Sequence, residues 1–192
     1  MPEAVIAITG ASGARYGVRL LQALRDARWQ IRLIVTGAGA INLDLECGIS
    51  PAELASDPAV TLEENDNLAA RSASGSARFD AYVICPASGT TIGKIATGIS
   101  DNLATRSALV AMKERRKLIL VPREAPDSRP HLRAIADLSA WGVVFLSASP
   151  GFYNAPESIE DLVDFVVARI LDQLNVEQNL TQRWTGDEVG SQ

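Results

Sequence analysis

Short apolar runs alternate with helical patterns along most of this chain. The apolar runs are bounded by Gly, Pro or polar residues and cover residues 4–9, 31–36, 81–85, 118–121 and 143–146. Between most of them, apolar side chains recur at helical spacing, as Val18, Leu21 and Leu24 do after the first run. Continuous apolar strands that alternate with helices are typical of a parallel sheet covered on both faces. The pattern therefore predicts an α/β fold with a doubly wound parallel sheet.

Two further parts of the chain have patterns of their own, a helical one near the C-terminus and an irregular one over residues 50–80. An apolar stripe near the end predicts a long helix, and it consists of Ile159, Leu162, Val163, Val166, Val167, Ile170, Leu171 and Leu174. Residues 50–80 predict turns, a short extra strand near 60–62 and a mobile loop. Because 192 residues suffice for one good-sized core, we expect a single domain over 1–192, with a C-terminal tail from about 176.

Composition and charge exclude several classes of protein. The net charge of −5 argues against a nucleic-acid binder, which needs a basic face. The N-terminus carries an acid where a signal peptide carries basic residues, and no apolar run approaches the roughly 18 residues of a membrane span. Cys47 and Cys85 lack metal-type spacing, which predicts small buried hydrophobic residues in a reducing compartment. We therefore expect a cytoplasmic protein.

The first strand ends in "TGASGARYG", with glycines at 10, 13 and 17. Ligands of doubly wound sheets lie beyond the carboxyl ends of the strands, so this turn is a candidate site. It is not the dinucleotide fingerprint G-x-G-x-x-G, and no acid follows the second strand to hold a ribose. Ser12 and Thr36 stand there instead and favour a mononucleotide, while a tight turn without any ligand is the alternative.

The strand over 81–85 leads into "PASGTTIGK", where Ser88, Gly89, Thr90 and Thr91 stand at the predicted start of a helix. Hydroxyls and unpaired backbone N–H groups at a helix N-terminus suit a phosphate. A plain Ser N-cap is the alternative, but a cap needs only one hydroxyl. The cluster therefore favours phosphate binding.

The strand over 118–121 is preceded by a basic run at 113–117 and followed by Arg123 and Glu124. For most of the basic run, a solvated face is the better interpretation. Arg123 and Glu124 differ because they follow the strand directly, at the binding edge of the sheet. An Arg beside a Glu at that place can hold a phosphate while the acid handles a proton.

Two further residues lie near the C-terminus, and one histidine lies between. In "PGFYNAP", prolines and a glycine stiffen a loop around Tyr153, and loop packing is the alternative to a binding role. Arg169 falls between Leu162 and Phe165 on a helical wheel, which suggests a buried or ligand partner, although a snorkelling Arg gives the same pattern. His131, the only histidine, has no nucleophile motif or second metal ligand near it, so we interpret it as incidental.

Taken together, the motifs resemble those of the UbiX family of flavin prenyltransferases. "TGASGARYG", "KERR" with "VPREAP", "PGFYNAP" and "VARIL…RW" occur in that order, and the match runs from about Thr9 to Trp184. The resemblance implies a Rossmann-like flavoprotein three-layer sandwich that forms a homo-oligomer, a dodecamer being one such assembly. It also implies reduced FMN and dimethylallyl phosphate as substrates, without a metal, and a UbiD-type decarboxylase that receives the prenylated FMN.

The resemblance also implies roles for individual residues, carried over position by position. The flavin site falls on Gly10, Ala11, Ser12, Thr36, Ser88, Gly89, Thr90, Thr91 and Arg123. The site of the prenyl phosphate falls on Tyr153 and Arg169, with Arg106, Lys113 and Glu124 beside it and Trp184 as an aromatic that closes the pocket. Ser12, Glu46, Lys113 and Glu124 are the implied catalytic residues, with Glu46 near Ser12.

The chain departs from the family pattern at Ala87, Asn154 and Gly37, and Ala87 brings "PASGTT" close to the "PASANT" motif of the FMN-dependent cysteine decarboxylases. Such a decarboxylase is one alternative, but it relies on a histidine in the first half of the chain, where this chain has none. A non-catalytic FMN-binding subunit is the other alternative. It could keep Ser12 while losing Glu124, Tyr153 and Arg169, all of which are present here.

Overall fold

The computed structural model describes residues 1–183, in which a six-stranded sheet is flanked by helices. The strands are β1 (Glu3–Ile8), β2 (Gln30–Val35), β3 (Val60–Glu63), β4 (Ala81–Ala87), β5 (Leu118–Pro122) and β6 (Val144–Phe145). The helices are α1 (Ala14–Asp26), α2 (Gly37–Cys47), α3 (Pro51–Leu54), α4 (Gly89–Ala96), α5 (Leu103–Lys113), α6 (Arg129–Ala140) and α7 (Ile159–Gln173). A single 3₁₀ turn lies at Arg71–Ala73.

The strands form one parallel sheet in the order β3-β2-β1-β4-β5-β6. From β1 the chain moves outward to β2 and β3, and it then returns to β4 on the other side of β1. The order of the strands therefore reverses between β1 and β4, and a crevice opens at their carboxyl ends. The doubly wound α/β fold predicted from the sequence is confirmed.

The sheet is covered on both faces, which explains why its central strands β1, β4 and β5 are apolar almost without alternation. On one face, α1 and α7 pack with side chains such as Ile6, Leu24 and Val167 into one apolar layer. On the other face, α4, α5 and α6 bury a second layer that includes Ile84 and Leu120. The two layers hold the strand ends in fixed positions, and the candidate site is built on those ends.

Several local predictions need adjustment. The predicted strand over 143–146 is a pair of residues, Val144–Phe145, and the extra strand near 60–62 extends to Glu63. Cys85 is buried as expected, and burial raises the pKa of its thiol far above the usual range. Cys47 is only partly buried, because it lies at the C-terminal end of α2 beside a cavity. In the described part of the chain, no helix combines the length and apolar character that a membrane span requires.

Candidate functional site

The carboxyl edge of the sheet gathers the loops that follow β1, β4 and β5. A cavity of about 480 Å³ lies at this edge, and its lining includes Ser12, Tyr16, Leu45, Glu46, Arg123 and Ile159. This volume falls within the usual range of small-molecule sites. A second cavity of about 350 Å³, between α1, α2 and α7, shares Glu46 with it.

The glycines of the first turn are required by close packing. Gly13 has a φ of 109°, in the left-handed region, and is the N-cap of α1. A Cβ on Gly17 would lie 2.6 Å from the backbone oxygen of Cys85, so this glycine lets α1 approach β4. A Cβ on Gly10 would lie 2.6 Å from the Cβ of Ala38, at the start of α2. The turn therefore brings α1 and α2 close to the ends of β1 and β4.

Glu46 caps the N-terminus of α1 from the neighbouring helix α2. Its carboxylate accepts the N–H of Gly13 at 2.9 and 3.0 Å and the N–H of Ala14 at 2.7 Å. A carboxylate at a helix N-terminus is stabilised by the helix dipole and by the free N–H groups. The start of α1 is thus occupied by a side chain of the protein, whereas α4 begins at the same end of the sheet, directly after β4.

Thr9 joins the ends of β1 and β4 in the buried interior. Its hydroxyl donates to the backbone oxygen of Pro86 at 2.8 Å and accepts the N–H of Ser88 at 2.8 Å. Thr9 is fully buried, and its bond to Pro86 is shielded from water, whereas the bond from Ser88 is only partly buried. Its hydroxyl therefore fixes the residue at which α4 begins.

The hydroxyls predicted to bind the flavin phosphate also cap helices. Ser88 is the N-cap of α4, and its hydroxyl accepts the N–H of Thr91 at 3.3 Å and lies 2.9 Å from the Thr91 hydroxyl. Thr36 caps α2 in the same way by accepting the N–H of Gly39 at 3.1 Å. Thr90 is exposed at the crevice. Ser88 thus acts as the N-cap of α4, as the capping alternative predicts. The first turn of α4 still presents backbone N–H groups that have no partner within the helix.

Arg123 ties the end of β5 to the first turn. Its Nε donates to the backbone oxygen of Ser12 at 3.1 Å, across the carboxyl end of β4. The hydroxyl-bearing Ser12 is itself exposed. The structure therefore places these two predicted site residues together, with their side chains at one cavity.

Glu124 follows Arg123 and faces the histidine that the sequence suggests is incidental. The Nδ1 atom of His131 lies 3.9 Å from Oε2 of Glu124. The imidazole also covers Gly89, since a Cβ on that glycine would lie 2.2 to 2.7 Å from three ring atoms. His131 is thus part of the rim between α4 and the β5 loop, a place that the sequence did not predict.

Lys113 is not brought to Glu124 within a single chain, although the resemblance places both beside the prenyl phosphate. Lys113 ends α5 before β5 begins, whereas Glu124 follows the end of β5. The five residues of β5 span roughly 16 Å, so Lys113 and Glu124 lie at opposite ends of this strand. Arg106 is exposed on α5, whose first residue donates its N–H to Asn65, in the loop after β3.

Tyr153 and Arg169 lie beside β6 at the side of the sheet. The ring of Tyr153 packs edge-to-face on Phe165 of α7, with the ring centroids 5.7 Å apart. Arg169 is one turn further along α7, where its exposed guanidinium pairs with Asp172 at 2.9 Å. Arg169 is therefore not buried among apolar side chains. Trp184, the predicted aromatic lid, lies outside the described residues.

Three rim residues were not identified from the sequence. Besides His131 and Thr9, Asn42 holds the first turn through a hydrogen bond from Nδ2 to the backbone oxygen of Ala11 at 2.9 Å. Thr9 could have been found, because it is a polar residue that directly ends a buried strand. The positions of Asn42 and His131 depend on how α2 and α6 pack, which local sequence does not determine.

These residues suit a flavin mononucleotide better than a metal. The rim combines a helix N-terminus for a phosphate, a cationic Arg123 and a cavity large enough for a ring. The Nδ1 atom of His131 is buried without a hydrogen-bond partner, as expected of a group that meets a ligand or a moving side chain. Among residues 1–183, no group of three or more His, Cys, Asp or Glu could hold a metal ion.

Known proteins are similar to this chain in sequence. The model of a family described as Flavoprotein matches residues 2–171. A protein of Pseudomonas aeruginosa named flavin prenyltransferase UbiX is 44% identical over 198 residues, covering 95% of this chain and 94% of its own length.

Two solved structures resemble this one closely. AnUbiX (PadA1), crystallised in complex with FMN and dimethylallyl pyrophosphate, has a TM-score of 0.94 and 34% identity over 97% of this chain and 99% of its own. A dodecameric FMN-dependent UbiX-like decarboxylase from Escherichia coli O157:H7 has a TM-score of 0.92 and 39% identity, covering 96% of this chain and 100% of its own.

Proposed function

We propose that this chain, which belongs to the Flavoprotein family and to its UbiX-type flavin prenyltransferases, transfers a dimethylallyl group from dimethylallyl phosphate to N5 and C6 of reduced FMN. The chain is an FMN-binding prenyltransferase. The proposal therefore concerns which prenyl donor it uses, which flavin atoms receive the prenyl group and which residues act. The observation that supports it is the hydrogen bond from Arg123 to the backbone oxygen of Ser12, which joins the residues after β5, next to Glu124, to the turn after β1.

The first task of the site is to remove a phosphate dianion. The bond between the allylic carbon and the phosphate oxygen breaks, the phosphate leaves with the electron pair, and N5 of the reduced flavin bonds to the carbon. The N5 proton leaves with the phosphate. Arg123 stabilises the departing charge, and the electron-rich flavin ring shelters the allylic cation. We assign Lys113, Arg169 and the Tyr153 hydroxyl to the same anion.

The second task is to close a ring, and it requires a proton to move. A bond forms between C6 of the flavin and the tertiary carbon of the prenyl group, the neighbouring alkene carbon gains a proton, and C6 loses one. One carboxyl group can donate the first proton and accept the second, so the step is balanced without a co-reactant. We assign this role to Glu124, whose side chain is 38% exposed at the rim.

FMN binding falls to the loops after β1, β2 and β4. The phosphate docks at the first turn of α4, on the residues from Ser88 to Thr91, and the ring lies along the turn over Gly10–Ser12 with Thr36 beside it. Ser12 holds a proton at the flavin nitrogen. Glu46 acts beneath it by fixing the turn, because its carboxylate is already engaged by the backbone.

The anion site requires more than one copy of the chain. Arg123 is at the carboxyl edge of the sheet, Lys113 is at the opposite edge, and Arg169 is beside β6, so a single chain does not surround one phosphate with all three. We propose a homo-oligomer in which neighbouring copies supply the missing side chains, as the dodecameric relative permits. Mixed oligomers test this, since inactive Lys113→Ala and Arg123→Ala proteins should recover part of their activity after being unfolded and refolded together.

Anaerobic incubation with reduced FMN and dimethylallyl phosphate tests the proposed reaction. The flavin should gain the mass of one C5H8 unit, and its proton spectrum should lose the C6 hydrogen. Dimethylallyl pyrophosphate in a parallel reaction decides which donor is used. No gain with either donor would leave an FMN-binding subunit, and decarboxylation of a C-terminal cysteine peptide would establish the cysteine decarboxylase instead.

The product is proposed to serve a UbiD-type decarboxylase. A cofactor-free preparation of such an enzyme should become active after incubation with this protein's product and stay inactive with FMN alone. Activation by FMN alone would remove the need for the transfer.

A further inference from the structure

We infer that His131 is a positioning residue for the Glu124 carboxylate. A side chain at position 89 would occupy the space of the imidazole, so a glycine there allows the ring to face Glu124. The inference rests on the proposed role of Glu124 in ring closure. In the resting state the Nδ1 atom of His131 lies 3.9 Å from Oε2 of Glu124, which is too far for a hydrogen bond. A rotation of the exposed Glu124 side chain brings the two atoms into contact, and Nδ1–H then donates to the carboxylate.

The imidazole nitrogen that faces Glu124 is buried and unsatisfied. Nδ1 has no hydrogen-bond partner among the described residues, although the side chain as a whole is 29% exposed. A buried polar atom without a partner costs stability, whereas a leucine would fill the same space without that cost. The carboxylate of Glu124 is the acceptor that this nitrogen faces.

The backbone of α4 makes room for the ring. A Cβ on Gly89 would lie 2.2 Å from Cε1, 2.4 Å from Nε2 and 2.7 Å from Nδ1 of His131. The ring therefore lies against the first residue of α4, the helix proposed to hold the FMN phosphate. His131 itself lies in the first turn of α6, so α4, α6 and the β5 loop converge on this ring.

The ring of His131 thereby links the flavin site to the acid. The imidazole of His131 belongs to α6 and packs against Gly89 of α4. It therefore holds the Glu124 carboxyl at a set distance from a flavin that is bound at α4. Without the imidazole, the exposed Glu124 side chain would sample many conformers. Ring closure would then slow, while substrate binding would stay the same. A residue that merely packs would change stability and binding together.

Three substitutions separate these roles. His131→Leu keeps the bulk and removes the donor, His131→Asn keeps a donor near the position of Nδ1, and His131→Gln places its donor near that of Nε2. Ring closure is measured in a single turnover, beside the Kd for FMN and the KM for the donor. We expect His131→Leu to slow ring closure by about tenfold or more, with Kd and KM within about twofold. His131→Asn should recover most of the rate, and His131→Gln should not.

A measurement without turnover checks the same contact. Because the chain has one histidine, ¹⁵N-histidine labelling gives the signals of His131 alone in solid-state NMR. Binding of FMN and a non-reactive prenyl phosphonate should shift Nδ1 in the parent but not in Glu124→Leu, which has no acceptor oxygen, while Glu177→Leu, at an exposed site, should behave as the parent.

The outcomes distinguish this inference from the proposed function. If the parent forms no prenylated FMN, the proposed function fails, and the NMR shift still tests the contact. If the parent is active but His131→Leu closes the ring at the parent rate, the inference is wrong. It is also wrong if the Nδ1 shift is the same in the parent and in Glu124→Leu. Should His131→Leu not fold, the comparison of the Asn and Gln variants decides.

Discussion

The carboxylate of Glu46, on α2, holds the backbone of Gly13 at the start of α1. Both carboxylate oxygens accept the Gly13 N–H, at 2.9 and 3.0 Å, and one of them also accepts the N–H of Ala14. The contact joins two helices that begin at the ends of adjacent strands, β1 and β2. It therefore determines the shape of the turn over which the flavin ring is proposed to lie.

Removing this cap should weaken both the fold and FMN binding. Hydrogen bonds to a charged group contribute roughly 1.5 to 3 kcal/mol, so Glu46→Ala should lower the free energy of unfolding by about that amount. Glu46→Gln keeps one acceptor oxygen and should lose less. Urea denaturation and FMN titration measure the two effects. Asp44→Ala, at an exposed site of the same helix, is the control, and an equal loss there would show that the cap is unimportant.

Glu124→Gln should separate binding from ring closure. The amide keeps the shape of the side chain but cannot shuttle a proton, so FMN should bind normally while ring closure slows by about 10²-fold or more. Rapid-quench sampling and the proton spectrum of the flavin follow the product. Glu177→Gln is the matched control at an exposed site. Normal turnover in the Glu124 variant would show that this acid is dispensable.

Arg169→Ala should affect the prenyl donor rather than the flavin. Loss of one charge-assisted bond to a phosphate corresponds to about a tenfold or greater rise in the KM for the donor, with the Kd for FMN within about twofold. Arg183→Ala provides the control, because Arg183 pairs with the same Asp172 and has no assigned substrate contact. If both affinities fall equally, Arg169 serves the flavin or the fold.

The fold could be predicted from the sequence because the central strands β1, β4 and β5 are buried almost throughout and are followed by, or end at, a polar residue or proline. That Arg123 and the turn after β1 lie at the same end of the sheet also followed, since the carboxyl ends of parallel strands lie together. That Lys113 lies away from Glu124 within one chain could not be predicted, because closeness to β5 along the chain does not distinguish the two ends of that strand. The place of His131 could not be predicted because it depends on the packing of α6 against α4, which is a contact between helices far apart in the pattern.

Gly17→Ala should destabilise the protein, although alanine favours helices. A Cβ at this position would lie 2.6 Å from the backbone oxygen of Cys85 and 3.0 Å from two Ile8 side-chain carbons. Backbone cannot yield easily, so α1 must move away from the sheet, at a cost of about 2 to 4 kcal/mol. Gly37→Ala is the control, because a Cβ on Gly37 would have no neighbouring atom within 4 Å. Thermal unfolding compares the two, and equal stability would contradict the close approach.

Glu3 joins the start of β1 to Arg32 on β2 and to Arg71 through its carboxylate. Arg32 Nε donates to it at 2.8 Å, and Arg71 donates at 2.7 Å. Burial by itself raises the pKa of the Glu3 carboxyl, but the bonds from the two guanidinium groups outweigh it, and the net pKa lies below the usual 4.5. A lowered pKa in the folded state means that the ionised form stabilises the fold above the pKa of the unfolded chain.

Glu3→Gln should therefore lower the free energy of unfolding by roughly 1 kcal/mol at neutral pH, because the pair is partly exposed to solvent. The difference from the parent should shrink as the pH falls below about 4.5 and vanish once the folded-state carboxyl of the parent is protonated. Urea denaturation at a series of pH values from neutral downward measures it. Glu64→Gln, at an exposed site, should change the neutral-pH stability by less than about 0.5 kcal/mol. A Glu3→Gln difference that stays constant down to the acid limit would show that the carboxylate charge plays no part, and that the side chain acts through packing or neutral hydrogen bonds alone.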